Sequence, residues 1–167
     1  MNKPTIIIYH KYIPKVGGIE SVLLYLVKLL DKNGYKVIVA YEAYESYESL
    51  FRLSEYADVV SVLKFKELVC DVLLIASNFI YPHNIRFKKS FQWIHSDYDK
   101  YGLDLAGNSV DGYIAVSEHC AKVAKRRFNI ECKVIYNVLD DDYNKYKKPE
   151  FFLVTNTRIS REKGFAS

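Results

Sequence analysis

The 167-residue sequence predicts an α/β fold, a doubly wound parallel sheet of about seven strands. Three observations predict it. Short, continuous runs of β-branched and aliphatic residues recur along the chain, as strands buried on both faces require. Amphipathic segments and turn signals separate these runs, the alternation that wraps a parallel sheet in helices. The first run also leads through a loop with two adjacent glycines into a helical stripe, the Rossmann-like order of strand, turn and helix.

Thr5–Tyr9 is the first strand, and the stripe of Val22, Leu23, Leu26, Leu29 and Leu30 makes Ile19–Lys32 a helix. Asn33-Gly34 stops that helix, with glycine supplying a left-handed cap. Lys36–Ala40 is the second strand, Tyr47–Tyr56 a helix and Asp58–Leu63 a short third strand. Asp71–Ala76 and Ser90–His95 are the fourth and fifth strands, with a loop or short helix around Tyr81-Pro82-His83-Asn84. Asp111–Val116 is the sixth strand, and Ser117 caps a helix that runs to about Phe128. Cys132–Tyr136 is the seventh.

Composition narrows the function classes. Half of the residues are hydrophobic and the net charge is only +4, the balance of a soluble globular domain. The three cysteines, Cys70, Cys120 and Cys132, are unclustered, form no CxxC and lie in or beside apolar runs. They read as reduced core residues of a cytoplasmic protein. No signal peptide is present, and Lys28 and Asp71 interrupt the two longest apolar stretches, so no segment has transmembrane length. Basic groups at Lys122, Lys125, Arg126 and Arg127 and at Arg86, Lys88 and Lys89 read as solvated faces or as a peripheral contact with an anionic membrane. No pattern of stacking aromatics on a basic sheet appears, which argues against nucleic acid.

The loop from His10 to Gly18 is the most informative segment. Ligands of open parallel sheets sit beyond the carboxyl ends of the strands. Gly17 and Gly18 fall at a helix entrance, where bare N–H groups and the helix dipole favour an anion such as phosphate. The segment is neither GxGxxG nor GxxxxGK[ST], so neither a dinucleotide fingerprint nor a P-loop is present. A plain tight turn is the competing reading of the same glycines.

Five segments in order extend this reading: Pro14–Glu20 (PKVGGIE), Lys32–Ala40 (KNGYKVIVA), Trp93–Ser96 (WIHS), Asp111–Glu118 (DGYIAVSE) and Lys133–Asp140 (KVIYNVLD). A run Arg158-Ile159-Ser160-Arg161-Glu162-Lys163-Gly164 follows the apolar Phe151–Thr155. With these segments the chain resembles the N-terminal half of retaining GT-B glycosyltransferases of family 4. The resemblance implies a cleft between two Rossmann-like domains, the first mainly holding the acceptor and the second the nucleotide sugar. It implies that His95 contacts the transferred sugar as the catalytic-site histidine and that Gly17, Gly18, Glu20, Ser117 and Asn137 line the substrate site. Arg158 and Lys163 then grip the donor diphosphate. It implies a UDP- or GDP-sugar as donor, a glycan or lipid-linked acceptor, and no metal or other cofactor.

Domain boundaries follow from texture and resemblance together. Residues 1–137 form the acceptor-side domain, the polar 138–150 stretch is a linker, and 151–167 opens a truncated C-terminal donor-binding domain. A lone strand and basic loop have no core of their own, so a second α/β domain is expected and these 167 residues alone are expected to be inactive. Two other readings compete. One is a non-catalytic binding module of glycosyltransferase type. The other is a metal-dependent GT-A-type transferase using Asp97 and Asp99 to hold a divalent ion, whereas the Asp140–Asp142 stretch in the linker reads as solvated charge.

Overall fold

The computed structural model describes residues 3–15, 18–76 and 78–137. Its elements are β1 (Thr5–Tyr9), β2 (Tyr12–Ile13), α1 (Gly18–Lys32), β3 (Lys36–Tyr41), β4 (Ala43–Tyr44) and α2 (Tyr47–Ser54). They continue with β5 (Asp58–Ser61), a 3-10 turn at Val62–Lys64, β6 (Leu68–Ala76), β7 (Ile85–Ile94), β8 (Gly112–Ala115), α3 (Glu118–Phe128) and β9 (Cys132–Val134). Seven strands form one sheet in the order β5-β3-β1-β6-β7-β8-β9. Every pairing in it is parallel. The anticipated doubly wound, Rossmann-like sheet is therefore the observed fold. From β1 the chain first builds outwards to β3 and β5, then returns to β6 and builds the other way. The order reverses between β1 and β6.

Strand alternation sends Ile8, Val37 and Val39 to one face, where α1 and α2 cover them with Leu23, Leu24, Val27 and Leu53. Ile7, Tyr9, Ile38, Ala40, Leu73 and Ile75 point to the other face. There α3 packs Cys120, Val123 and Ala124 over Ile94 and Ala115. No helix joins β6 to β7, and the register explains why. Ile85 pairs with Leu68 at the start of β6, so the chain must return along the whole of that nine-residue strand, about 30 Å at strand rise. The eight intervening residues can cover such a length only when nearly extended, since a helix of eight residues rises about 12 Å. Phe79 and Tyr81 of this connection pack on the core in place of a helix.

Several boundaries differ from those expected. Strand β6 begins at Leu68 rather than Asp71, and β7 at Ile85 rather than Ser90. The charged residues that seemed to end these strands are paired: Lys88 with Asp71 at 2.7 Å, Lys89 with Asp111 at 3.1 Å and Arg86 with Glu67 at 3.3 Å. Asp71 also accepts the backbone N–H of Thr5 at 2.8 Å, tying the first residue of β1 to its neighbour. Lys88 and that N–H hold the Asp71 carboxyl below its usual pKa. Leu68 and Cys70 enter the same cluster as Leu73 and Ile75, so the facing alternation switches at this charged position. The third and seventh strands are shorter than expected, and the helix expected over Tyr47–Tyr56 ends at Ser54. The two-residue ribbon β2–β4 is too short to leave a periodic signal. The cysteines are free thiols, and burial pushes the Cys70 thiol up to about 11.

The loop that leaves β1 is fastened from the side. Ser49 of α2 is buried, and its hydroxyl donates to the carbonyl oxygens of Pro14 and Lys15, each 3.1 Å away. The Lys15 N–H donates to Glu45 at 2.9 Å. Replacing Ser49 with alanine removes the hydroxyl that ties both carbonyls to α2. The S49A variant is expected to lose about 1 kcal/mol of stability, measured as a lower urea midpoint with an unchanged slope.

Candidate functional site at the carboxyl edge of the sheet

In open α/β sheets the crevice for ligands lies at the carboxyl ends of the strands, where the strand order reverses. Here that is the edge between β1 and β6, and the loop leaving β1 runs straight into it. His10 follows β1, its backbone N–H donating to the Ala40 carbonyl at 2.9 Å. Tyr9 just before it donates its buried hydroxyl to Glu42 at 2.5 Å. Burial and the Glu42 carboxylate raise the Tyr9 pKa above its ordinary value, burial most.

Gly18 is the first residue of α1 and is exposed. A Cβ built on it meets nothing within 4 Å, and its φ is not positive. Neither crowding nor backbone strain therefore demands glycine here, and the tight-turn reading finds no support at Gly18. What glycine does provide is a helix start without a side chain, which suits close approach by an anion. Gly17 lies outside the described residues. Glu20 sits in the same first turn, but it is buried, with its carboxylate 3.1 Å from the Arg52 guanidinium of α2. That pair fixes the entrance of α1 against α2.

His95 follows β7, two strands from β1, and its ring lies 3.9 Å from the Trp93 ring. His10 is buried and meets the ring of Phe79 edge-on at 5.4 Å. Asn108 holds Phe79 in place by donating to its carbonyl at 2.8 Å, and it also reaches the buried Gln92 side chain at 3.2 Å. Burial pushes the His10 pKa down to about 4, with the Tyr12 backbone pulling weakly the other way. Burial, and then repulsion from His10, push His95 down to about 3. Both imidazoles are thus neutral at pH 7. Nδ1 and Nε2 of His10 and Nε2 of His95 are buried without a hydrogen-bond partner. His10 carried no part in the sequence reading. Its only signal was the one that drew attention to His95, a histidine one residue past a buried strand.

The other expected site residues are dispersed. Ser117 caps α3, its Oγ accepting the Cys120 N–H at 3.1 Å. Asn137 lies past β9 and, with Val22, Leu26, Leu74, Trp93, Ile114 and Tyr136, lines a small apolar cleft on the α1 face. Arg158, Lys163 and Asp140–Asp142 lie outside the described residues. An open cleft of about 660 Å³ at the opposite, amino end of the sheet, bordered by Lys3, Asp31 and Asp58, is far from the strand ends that carry the histidines.

The Asp97-Tyr98-Asp99 stretch is built as an anchor. Tyr98 is buried in the core beneath α3. Asp97 is 2.6 Å from His119 and accepts the N–H groups of Asp99 and Lys100, and these contacts, His119 first, lower its pKa. Asp99 pairs with Arg126 and Arg127. Carboxylates already engaged by two guanidiniums and an imidazole are poor ligands for a divalent cation. Among the described residues no cluster of three or more His, Cys, Asp or Glu is positioned for a metal. The same pairs change the reading of the basic groups. Lys125 meets Glu131 at 2.5 Å and Arg127 meets Asp104 at 2.7 Å, so most of the α3 charge is balanced internally, as is that of Arg86, Lys88 and Lys89. No helix among the described residues is long and apolar enough to cross a membrane.

The fold defines a class, the Rossmann-like domain with its ligand edge at a reversal of strand order, and a solved structure gives a particular likeness. HepE of Anabaena, crystallised in complex with UDP and glucose, is similar to this chain with a TM-score of 0.58 and 17% identity. The match covers 88% of this chain and 47% of that one, so the chain spans about half the length of the structure it matches. At this identity the likeness is one of fold. No family model matches the chain and no curated protein matches it.

Buried His10 and partly buried His95 give stability a defined pH dependence. Above pH 6.5, the ordinary histidine value, neither the folded nor the unfolded state holds the extra protons. Below it the unfolded chain takes them up while the folded one refuses them down to about 4 for His10 and about 3 for His95. The unfolded state then binds more protons, so stability falls as pH falls, on the order of 1 kcal/mol per pH unit for each histidine. Urea denaturation between pH 7 and 4.5 is expected to show this loss, and His95→Phe is expected to flatten the slope by about half. A pH-independent midpoint over that window would contradict the buried neutral pair.

Proposed function

We propose that this chain is the acceptor-side half of a retaining GT-B glycosyltransferase of family 4. In this reading the full protein moves a sugar from a nucleotide donor, such as a UDP- or GDP-sugar, to a glycan or lipid-linked acceptor of a cell-surface polysaccharide or glycolipid. The observation that carries the reading is the arrangement at the sheet edge. An open helix N-terminus at Gly18 and two neutral histidines occupy the carboxyl ends of the strands, within a fold that spans about half of a protein crystallised with UDP and glucose.

Residues 1–137 are proposed as the acceptor-side domain, 138–150 as a linker and 151–167 as the opening of the donor-binding domain. Transfer breaks the bond between the anomeric carbon and the diphosphate oxygen and forms one to the acceptor oxygen, whose proton leaves with the phosphate. Negative charge builds on the departing diphosphate. Arg158, Lys163 and the N–H groups at the start of α1 are the donors proposed to meet it, each worth roughly 3–4 kcal/mol when well placed. His95 faces the transferred sugar as an uncharged hydrogen-bonding group. No metal enters this scheme, and the engagement of Asp97 and Asp99 by His119, Arg126 and Arg127 supports leaving it out. This reading keeps the protein in the cytoplasm, with its basic groups at Arg86–Lys89 and Lys122–Arg127 as the surface for any peripheral contact with anionic membrane.

Assays of UDP-sugar turnover test the proposal. The 167-residue chain alone is expected to be inactive, and the protein extended past Ser167 active and insensitive to a chelator. Lys163→Ala in the extended protein is expected to lower kcat roughly tenfold or more with an unchanged thermal melt. Gly18→Ala is expected to be as stable as wild type or up to about 1 kcal/mol more so, yet slower, because its methyl group stands where the diphosphate approaches. Equal turnover by G18A would remove the α1 N-terminus from the site.

A further inference from the structure

We propose that His10 and His95 together form a binding site for an uncharged hydroxyl group, with His10 as a second hydroxyl-contacting residue. The inference deepens the glycosyltransferase reading and rests on it for the source of the hydroxyl, a sugar.

The argument starts from an imbalance. His10 is only 4% exposed, and neither of its ring nitrogens makes a well-formed hydrogen bond, the Tyr12 backbone giving only a weak interaction outside that geometry. Nε2 of His95 is in the same condition. Buried polar atoms are nearly always satisfied, and those that are not call for an explanation. The surroundings sharpen the imbalance: Phe79 stands edge-on to His10 and Trp93 lies against His95, so the neighbouring rings screen the nitrogens from solvent without pairing them. The place is informative as well. His10 leaves β1 at the reversal of strand order, Tyr9 before it is level through Ile75 with Gln92 of β7, and Phe79 and Asn108 link the His10 ring to that same Gln92, three residues before His95.

The donor and acceptor inventory selects the guest. A neutral imidazole has one N–H donor and one bare acceptor nitrogen, so the two nitrogens of His10 need a partner that accepts and a partner that donates. Phosphate and carboxylate oxygens only accept, and they leave a lone pair facing an anion. An ammonium group only donates. A hydroxyl does both. A metal ion would need three or four protein ligands, and the described residues offer no such set. The pair is therefore suited to a neutral polyol and unsuited to the diphosphate, which the reading gives to the open N-terminus of α1. The two parts of a nucleotide sugar would then be sorted by charge along one sheet edge.

The test uses the 167-residue chain, with D-glucose as the probe and inorganic phosphate as the control. Imidazole ¹⁵N resonances of His10 and His95 and the backbone amides of Gly18 and Asn137 are followed by NMR. Glucose is expected to shift both imidazoles along one saturation curve, and phosphate to leave them in place. His10→Phe is expected to weaken glucose binding roughly tenfold or more. His10→Asn, which keeps one donor and one acceptor, is expected to retain most of it, a rescue that a purely structural role would not give. Should H10F fail to fold, the wild-type shifts and the H10N titration still decide. Glucose-dependent shifts at Gly18 or Asn137 with an unmoved His10 would overturn the proposal and leave the glycosyltransferase reading standing. Equal shifts with phosphate, or no shift anywhere with glucose, would also overturn it. That reading fails separately, if the extended protein turns over no UDP-sugar even though His10 responds to glucose.

Discussion

The pairing of β1 with β3 on one side and β6 on the other carries the rest of this structure. β1 is short, apolar and paired on both edges, so its backbone polar groups can be satisfied only in this central position. Its start is tied to the β6 carboxylate of Asp71 and its end to Glu42 beyond β3. Once β1 is central, parallel strands must be added to either side through connections that cross the sheet, and the strand order must reverse beside it. The loop leaving β1 then emerges at the reversal, the one edge where two sets of connections diverge and leave room for a ligand. The position of the candidate site is a consequence of that pairing.

Charge is distributed around this edge in a consistent way. The ionisable residues of β6, β7 and α3 are largely satisfied by one another or by the adjoining loops: Lys88 with Asp71, Lys89 with Asp111, Arg126 and Arg127 with Asp99. Even Glu20, beside the open helix N-terminus, is matched by Arg52. At the strand ends lie the start of α1 at Gly18 and two imidazoles whose pKa values burial lowers. Such an edge can attract an anion at one point and hold an uncharged polar group at another. The proposed mechanism adds Arg158 and Lys163 to meet the charge of a leaving diphosphate.

The legibility of the sequence followed the range of the interactions involved. Helix α1 was readable because its apolar stripe is local, and the Ser117 cap because it joins residues three apart. The start of β7 was not. Arg86, Lys88 and Lys89 look like a solvated loop until Glu67, Asp71 and Asp111, seventeen to twenty-two residues away in sequence, are brought alongside. The same blindness made Asp97 and Asp99 look available to a metal and Glu20 look available to a substrate. His10 went unread because burial and missing partners, the two properties that single it out, belong to the folded molecule.

The sequence by itself determined the α/β class, the parallel sheet and the glycine entrance to α1, because each rests on local periodicity or on the conformational freedom of a residue type. Tertiary structure decided which charges are spent on one another, why β6 and β7 are joined without a helix, and that two histidines from different strands meet unpartnered at one edge. The histidines share that edge two strands apart, and all three features depend on register and packing between segments far apart in the chain. No local pattern encodes such distances, and only the assembled sheet sets them.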